Sequence, residues 1–146
     1  ITMEAWRRHF ETNVHAVFNL TRLCVPLMKG GGSVINTASV NSKKPTPNLL
    51  PYGATKGALA NLTIGMAGLL ADKGIRVNAV LPGPIWTPFI PAGMAAEEVK
   101  EFGSQTPFGR PGQPVELASA YVMLASDTAS YTSGALLTIS GGAATL

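Results

Sequence analysis

A chain of 146 residues with 46% hydrophobic and only 13% charged side chains is long enough for one domain or part of one, and its low charge suggests that something else covers much of its surface. Its net charge of +3 is scattered, with no basic run beyond Arg7-Arg8 and Lys43-Lys44, which excludes the footprint of a nucleic-acid binder. The single Cys24 excludes an internal disulfide, no apolar run approaches the roughly 18 residues of a membrane span, and Glu4, Arg7, Arg8 and Glu11 break any signal-peptide pattern, so the expected location is the cytoplasm.

Thr2 is placed to cap a helix in which Met3, Trp6, Phe10, Val14, Val17 and Phe18 return every three or four positions, running to about Met28. Trp6 and Phe10 at that spacing are expected in the core, and Cys24, between Leu23 and Val25, is expected to be an inert packed thiol. Pro26 and Gly30-Gly31-Gly32 stop the helix. The β-branched run Ser33-Val34-Ile35-Asn36-Thr37 then reads as a buried strand. From Asn41 to Pro51 the chain is polar and holds three prolines, which predicts a loop.

The second helix is expected from about Tyr52 to Asp72. Its glycines, among them Gly53, Gly57, Gly65 and Gly68, each cost roughly 1 kcal/mol relative to alanine, so a close backbone approach should compensate. Lys73-Gly74 ends it, and Ile75 to Leu81 is a second buried strand closed by Pro82-Gly83-Pro84. The apolar, proline-broken run from Ile85 to Met94 has the character of a mobile lid. A short helix from Ala95 to Phe102, a loop to Pro114, a helix from Val115 to Ala125 and a strand from Ala135 to Ile139 follow.

Helices alternating with short apolar strands, with no hairpin signal between them, predict an α/β fold of parallel βα units with helices on both faces of the sheet. Only three strands are visible. The glycine-rich turn that cradles a dinucleotide follows a first strand, whereas Gly30-Gly31-Gly32 precedes one and is not that fingerprint.

Four side chains can be drawn to one place by this topology. Ser39 follows the C-terminal end of the first strand, the edge where ligands bind in open α/β sheets. Tyr52 and Lys56, four apart, share a helix face, and Asn13 sits inside the first helix where an amide needs a reason. Reducing a ketone requires a proton donor for the forming alkoxide; a tyrosine serves if its pKa of about 10 falls, and a lysine within about 4 to 6 Å supplies that shift. Ser39 would hold the substrate oxygen in line. Singly, each has a plainer reading: Ser39 as a turn residue, Asn13 as a backbone-bonded helix residue, the Tyr-x-x-x-Lys spacing as coincidence. His9 and His15 lack metal-ligand spacing with each other or with Cys24, so no metal site is expected.

Taken in order, Asn13-Val14, Val34-Ile35-Asn36-Thr37-Ala38-Ser39, Tyr52-Gly53-Ala54-Thr55-Lys56-Gly57-Ala58 and Arg76-Val77-Asn78-Ala79-Val80-Leu81-Pro82-Gly83 resemble the classical short-chain dehydrogenase/reductase family in sequence and spacing. The resemblance spans essentially the whole chain, and Pro84-Ile85-Trp86-Thr87-Pro88 is most similar to a branch of bacterial stress-type oxidoreductases. Where the family more often has Asp before the final glycines, this chain has Ser140-Gly141-Gly142, a change that bears on C-terminal packing.

The resemblance implies the C-terminal half of a doubly wound Rossmann fold and an oxidoreductase that moves hydride between NAD or NADP and a carbonyl or alcohol. It implies Tyr52 as general acid/base, Ser39 as substrate-orienting residue, Lys56 as the residue that lowers the tyrosine pKa and binds the nicotinamide ribose, and Asn13 as holder of a water linking Lys56 to solvent. Pro82, Gly83 and Ile85, with the Thr87 hydroxyl beside them, would receive the nicotinamide carboxamide. Homotetramers or homodimers packed through the first and second helices are implied as well, the small residues of the second helix being their physical hint. A complete member has roughly 100 more residues in front, with the glycine-rich turn and the residue that chooses between NAD and NADP. The chain starts at Ile1 within a helix start, so upstream sequence is expected and the isolated chain should bind cofactor poorly. Two other readings stand beside this one: a non-catalytic assembly module that keeps the fold, and a serine hydrolase using Ser39, against which stand the missing Gly-x-Ser-x-Gly elbow and the upstream position of both histidines.

Overall fold

The computed structural model of the protein describes residues 1–143. It opens on a helical rod. Thr2 caps α1 (Met3–Phe10) from an extended backbone, its hydroxyl accepting the Ala5 N–H at 3.1 Å. The rod continues through a π-helical turn, Glu11–His15, into α2 (Ala16–Cys24) and ends in a 3-10 turn, Val25–Leu27, that accommodates Pro26. Side-chain periodicity reads this as one helix because a single inserted residue barely disturbs the apolar stripe; the widened turn falls around Asn13.

β1 (Ser33–Thr37) has the predicted span. α3 (Leu50–Leu69) starts two residues earlier than expected, with Pro51 in its first turn rather than in the loop; a proline is tolerated there because the early N–H groups of a helix have no intrahelical partner. Gly74, at φ +65, makes the left-handed turn into β2 (Arg76–Pro82). α4 (Phe89–Gly93), α5 (Ala96–Glu101), α6 (Val115–Ala125) and β3 (Leu136–Ile139) complete the described chain.

The three strands form one parallel sheet in the order β1-β2-β3, with Ile35 opposite Asn78 and Val80 opposite Leu137. β2, central and almost wholly buried, alternates its faces. Val77 packs with Met66, Ala67, Leu70 and Ile75 under α3, whereas Val80 packs with Ala120 and Leu124 of α6. Helices thus cover both faces, as the alternation of elements predicts.

Two expectations about the rod are corrected. Trp6 and Phe10 are half-buried and stack on one another at 4.9 Å between ring centroids, outside the core clusters, because α1 rests on α3 and not on the sheet. Cys24 is exposed, on the wall of a groove between the rod and β1, and is not packed.

The loop before α6 is pinned by charge. The Arg110 guanidinium donates to both Glu116 oxygens at 2.8 Å, and Glu116 Oε2 also accepts the Gln113 N–H at 2.7 Å. These bonds hold the Glu116 carboxyl down at about 2, against an ordinary 4.5. A depressed carboxylate stabilises the fold above its unfolded value and loses that contribution as pH falls through its folded value. Thermal midpoints of Glu116→Gln should therefore fall less steeply than those of the parent between pH 4.5 and about 2. The effect will be small, since both side chains are about half exposed; parallel acid limbs in the two melting series would refute it.

Candidate active site

Because the strands are parallel, their C-terminal ends meet at one edge. β1 runs out through Ala38, whose N–H still reaches Val80 O at 2.9 Å, to Ser39. Ser39 is buried and extended; its hydroxyl accepts the Asn41 N–H at 3.1 Å, and its carbonyl accepts the Ser42 hydroxyl at 2.6 Å, which ties it to the turn Val40–Ser42.

The first turns of α3 lie against that loop, and its glycines permit the approach. A Cβ on Gly53 would sit 3.3 Å from Pro45 Cβ and 3.5 Å from Asn41 O, and one on Gly57 would sit 3.7 Å from Ser42 O. Gly65 and Gly68 have no atom within 4 Å of such a Cβ and lie on the open side of the helix. Close approach within the chain therefore accounts for the first pair only.

Tyr52 and Lys56 share a face of α3, with Lys56 Nζ 5.6 Å from the centre of the Tyr52 ring. Nζ also donates to the carbonyl of Thr37, at the end of β1, at 2.8 Å. Partial burial disfavours the ammonium and lowers the Lys56 pKa below the usual lysine range. Asn13, on the π-helical turn, donates from Nδ2 to Thr55 Oγ1 at 3.0 Å; Thr55, fully buried between Tyr52 and Lys56 in sequence, donates in turn to Tyr52 O at 2.7 Å. Asn13 and Lys56 both line the groove between rod and β1, a space of about 490 Å³ with Val17 and Leu59 on its walls. No hydrogen bond among the described residues joins the Tyr52 hydroxyl to Ser39.

The end of β2 closes against the end of β3. Gly83 N–H donates to Ile139 O at 2.8 Å, and a Cβ on Gly83 would come within 2.9 Å of Ser140 Cα, so only glycine fits. Gly112 then pairs with the chain on either side of Ile85, donating to Pro84 O at 2.9 Å and accepting from Trp86 N–H at 2.8 Å. In a parallel bridge this turns the N–H and C=O of Ile85 itself to the opposite side. A neighbouring main-chain donor and acceptor match the acceptor and donor of a primary carboxamide. Thr87, half-buried, follows just before α4, where Phe89 is 80% exposed and the Trp86 ring faces Phe102 at 6.4 Å.

The structure thus brings Asn13, Tyr52 and Lys56 to one region beside the end of β1, with Ser39 in the adjoining loop and Pro82, Gly83, Ile85 and Thr87 leaving the same sheet edge on β2. Thr37 and Thr55, which the sequence does not single out, hold the lysine and the first turns of α3. The one signal for Thr55 is a hydroxyl placed between the two polar members of the Tyr-x-x-x-Lys spacing. No group of three His, Cys, Asp or Glu side chains converges among the described residues; His9 Nδ1 lies 2.8 Å from Ala5 O, and His15 is exposed.

A family model described as enoyl-(acyl carrier protein) reductase matches residues 1–144. The chain belongs to the short-chain dehydrogenase/reductase family. General stress protein 39 of Bacillus subtilis is 51% identical over 142 residues, 97% of this chain and 50% of that protein. The chloroplastic NADPH-dependent aldehyde reductase 1 of Arabidopsis thaliana is 53% identical over 137 residues, 93% of this chain and 48% of that protein. Among solved structures, a 3-oxoacyl-[acyl-carrier protein] reductase from Brucella melitensis with bound NAD superimposes with a TM-score of 0.86 at 33% identity, over 97% of this chain and 53% of that one. The chain spans about half the length of these short-chain dehydrogenases/reductases, and its three parallel strands with flanking helices are part of their Rossmann fold.

Proposed function

We propose that this chain carries the proton-transfer and nicotinamide-facing part of an NAD(P)-dependent oxidoreductase that interconverts a carbonyl and an alcohol. The observation that carries this reading is the Lys56 ammonium 5.6 Å from the Tyr52 ring, at the sheet edge where β1 ends at Thr37 and the chain passes on to Ser39. Tyr52 gives its phenolic proton to the carbonyl oxygen on reduction and takes it back on oxidation. Lys56 favours negative charge on that phenol oxygen and, since an ammonium has three donors and one is spent on Thr37 O, keeps donors for a ribose hydroxyl. Ser39 donates to the substrate oxygen and holds it toward Tyr52, and Asn13 holds a water through which Lys56 reaches solvent. Ile85, presented by Pro82 and Gly83 with Thr87 alongside, binds the carboxamide through its main chain. The nicotinamide, when bound, supplies or accepts the hydride at the carbonyl carbon, which with the Tyr52 proton balances the reaction.

The likeness to an NADPH-dependent aldehyde reductase at 53% identity favours small carbonyl compounds as substrates, with either NAD or NADP as cofactor. In this reading residues 1–146 are one partial domain, a glycine-rich dinucleotide turn belongs to the half of its relatives' length that this chain does not span, and the enzyme works in the cytoplasm. No described helix is long and apolar enough to cross a membrane. Assembly into dimers or tetramers would cover the apolar open faces of the rod and α3, where Phe18, Leu20, Ile64 and Leu69 are 45 to 74% exposed.

The test is turnover. The complete polypeptide, offered aldehydes, ketones and polyols with each nicotinamide cofactor, is expected to change nicotinamide absorbance and to form the matching alcohol or carbonyl by NMR, whereas residues 1–146 alone should not. Full turnover by the isolated chain would overturn the division of labour, and silence of the complete protein toward every carbonyl and alcohol would overturn the activity.

A further inference from the structure

We propose that Thr55 is a positioning residue that couples Asn13 to the Tyr52–Lys56 pair, an inference that rests on the function proposed above. The Thr55 hydroxyl is the middle of a relay: it accepts from Asn13 Nδ2 at 3.0 Å and donates to Tyr52 O at 2.7 Å. Thr55 itself has no exposed surface, so no water competes for that hydroxyl. Asn13 can reach it because the rod widens into a π-helical turn at Glu11–His15, a departure from α geometry that costs stability and tends to persist where it aims a side chain. The relay enters the backbone at Tyr52, and Lys56 directly follows Thr55 in the chain. It therefore sets how far the first turns of α3, with both side chains, stand from the rod.

The same helix contains a built-in control. Two turns further along, Thr63 is equally buried, accepts from Asn36 Nδ2 at 2.9 Å and donates to Leu59 O at 2.8 Å. Its bonding is of the same kind, an asparagine amide from another element, here β1, and a carbonyl one turn back, but it lies beyond both functional side chains. Each pair rivets α3 to a neighbour, so each contributes to stability; only the Thr55 rivet grips the turn that carries Tyr52 and Lys56.

In the complete enzyme, Thr55→Val and Thr63→Val should lower the thermal midpoint by comparable amounts. Thr55→Val alone should lower kcat by about 10- to 100-fold, the scale of a sub-ångström to ångström misplacement. A readout independent of turnover uses the cofactor-free protein: isotope-labelled reductive methylation of lysines, read by NMR and assigned with Lys56→Arg, should show the Lys56 titration midpoint moved by Thr55→Val and untouched by Thr63→Val. Thr55→Ser, which restores the hydroxyl, should recover most of the rate, and Thr55→Ala carries the comparison if the valine variant does not fold. Equal kcat and equal Lys56 midpoints in the Thr55 and Thr63 variants would reduce Thr55 to a structural residue, as would a serine variant as slow as the valine one. Failure of the underlying reading shows itself elsewhere, in a Tyr52→Phe enzyme that keeps its rate.

Discussion

Replacing Tyr52 by phenylalanine in the complete enzyme is expected to lower kcat by about 100- to 10,000-fold, the usual contribution of a positioned general acid or base. That loss corresponds to about 3 to 5 kcal/mol of transition-state stabilisation. The substitution removes one oxygen and nothing else of consequence. The Tyr52 hydroxyl makes no hydrogen bond to any described residue, and the ring, half-buried, keeps its contact with the Lys56 ammonium in phenylalanine form. The thermal midpoint should therefore stay within the small range of neutral surface changes while the rate collapses. Nicotinamide affinity, measured by fluorescence titration, should change far less than kcat, because in the proposed mechanism the lost interaction is with the reacting oxygen. A variant that retains its rate within a factor of a few would show that the proton comes from another group, and the role given to Lys56 would go with it.

Much of this architecture was open to reading from the chain. The β-branched run at Ser33 to Thr37 and the apolar run from Ile75 to Leu81 become β1 and β2 because neither alternates polar and apolar residues as a half-solvated strand would. Only β2, in the centre, is almost wholly buried, whereas in the edge strand β1 Asn36 alone is buried and Thr37 is exposed. Thr2 and Gly74 mark helix ends because their roles are local, a side-chain acceptor and a positive φ. What escaped were consequences of neighbours distant in sequence. Trp6 and Phe10 satisfy the spacing of a core face, but what a stripe packs against is not written in its period, and the rod leans on α3. Cys24 lies between apolar residues yet opens onto the groove beside the unpaired edge of β1. The glycines of α3 look alike in sequence and divide in space, Gly53 and Gly57 against the loop after Ser39, Gly65 and Gly68 outward. Within the candidate site, residue types and spacing single out Asn13, Ser39, Tyr52 and Lys56, while Thr55 and Thr37 become visible only once their hydrogen-bond partners stand beside them.

The largest effect on stability is expected at Asn78, a polar side chain in the middle of the most buried strand. Asn78 has no exposed surface, yet it is fully used: Nδ2 donates to Thr132 O at 2.8 Å and Oδ1 accepts the Ala135 N–H at 2.9 Å. Around it the segment before β3 is laced to β2, with Gly134 N–H on Val77 O at 2.7 Å, Val77 N–H on the Ser133 hydroxyl at 3.1 Å and Ala79 N–H on Ala135 O at 2.8 Å. The amide of Asn78 thus takes the place of a ladder rung where the incoming chain has not yet settled into strand register. Leucine, of similar size, would leave Thr132 O and the Ala135 N–H without partners, each at about 1 to 3 kcal/mol. Asn78→Leu should then destabilise the fold by about 3 kcal/mol or more, lowering the thermal midpoint by about 10 °C for a chain of this size. Asn78→Asp keeps the acceptor for Ala135 N–H but sets a carboxylate against Thr132 O, so it should also destabilise, and less so at acid pH where the protonated acid donates again. Thermal melts of both variants across pH decide the matter. A leucine variant as stable as the parent would mean that β3 is held by its apolar contacts alone and that Asn78 is a tolerated polar residue.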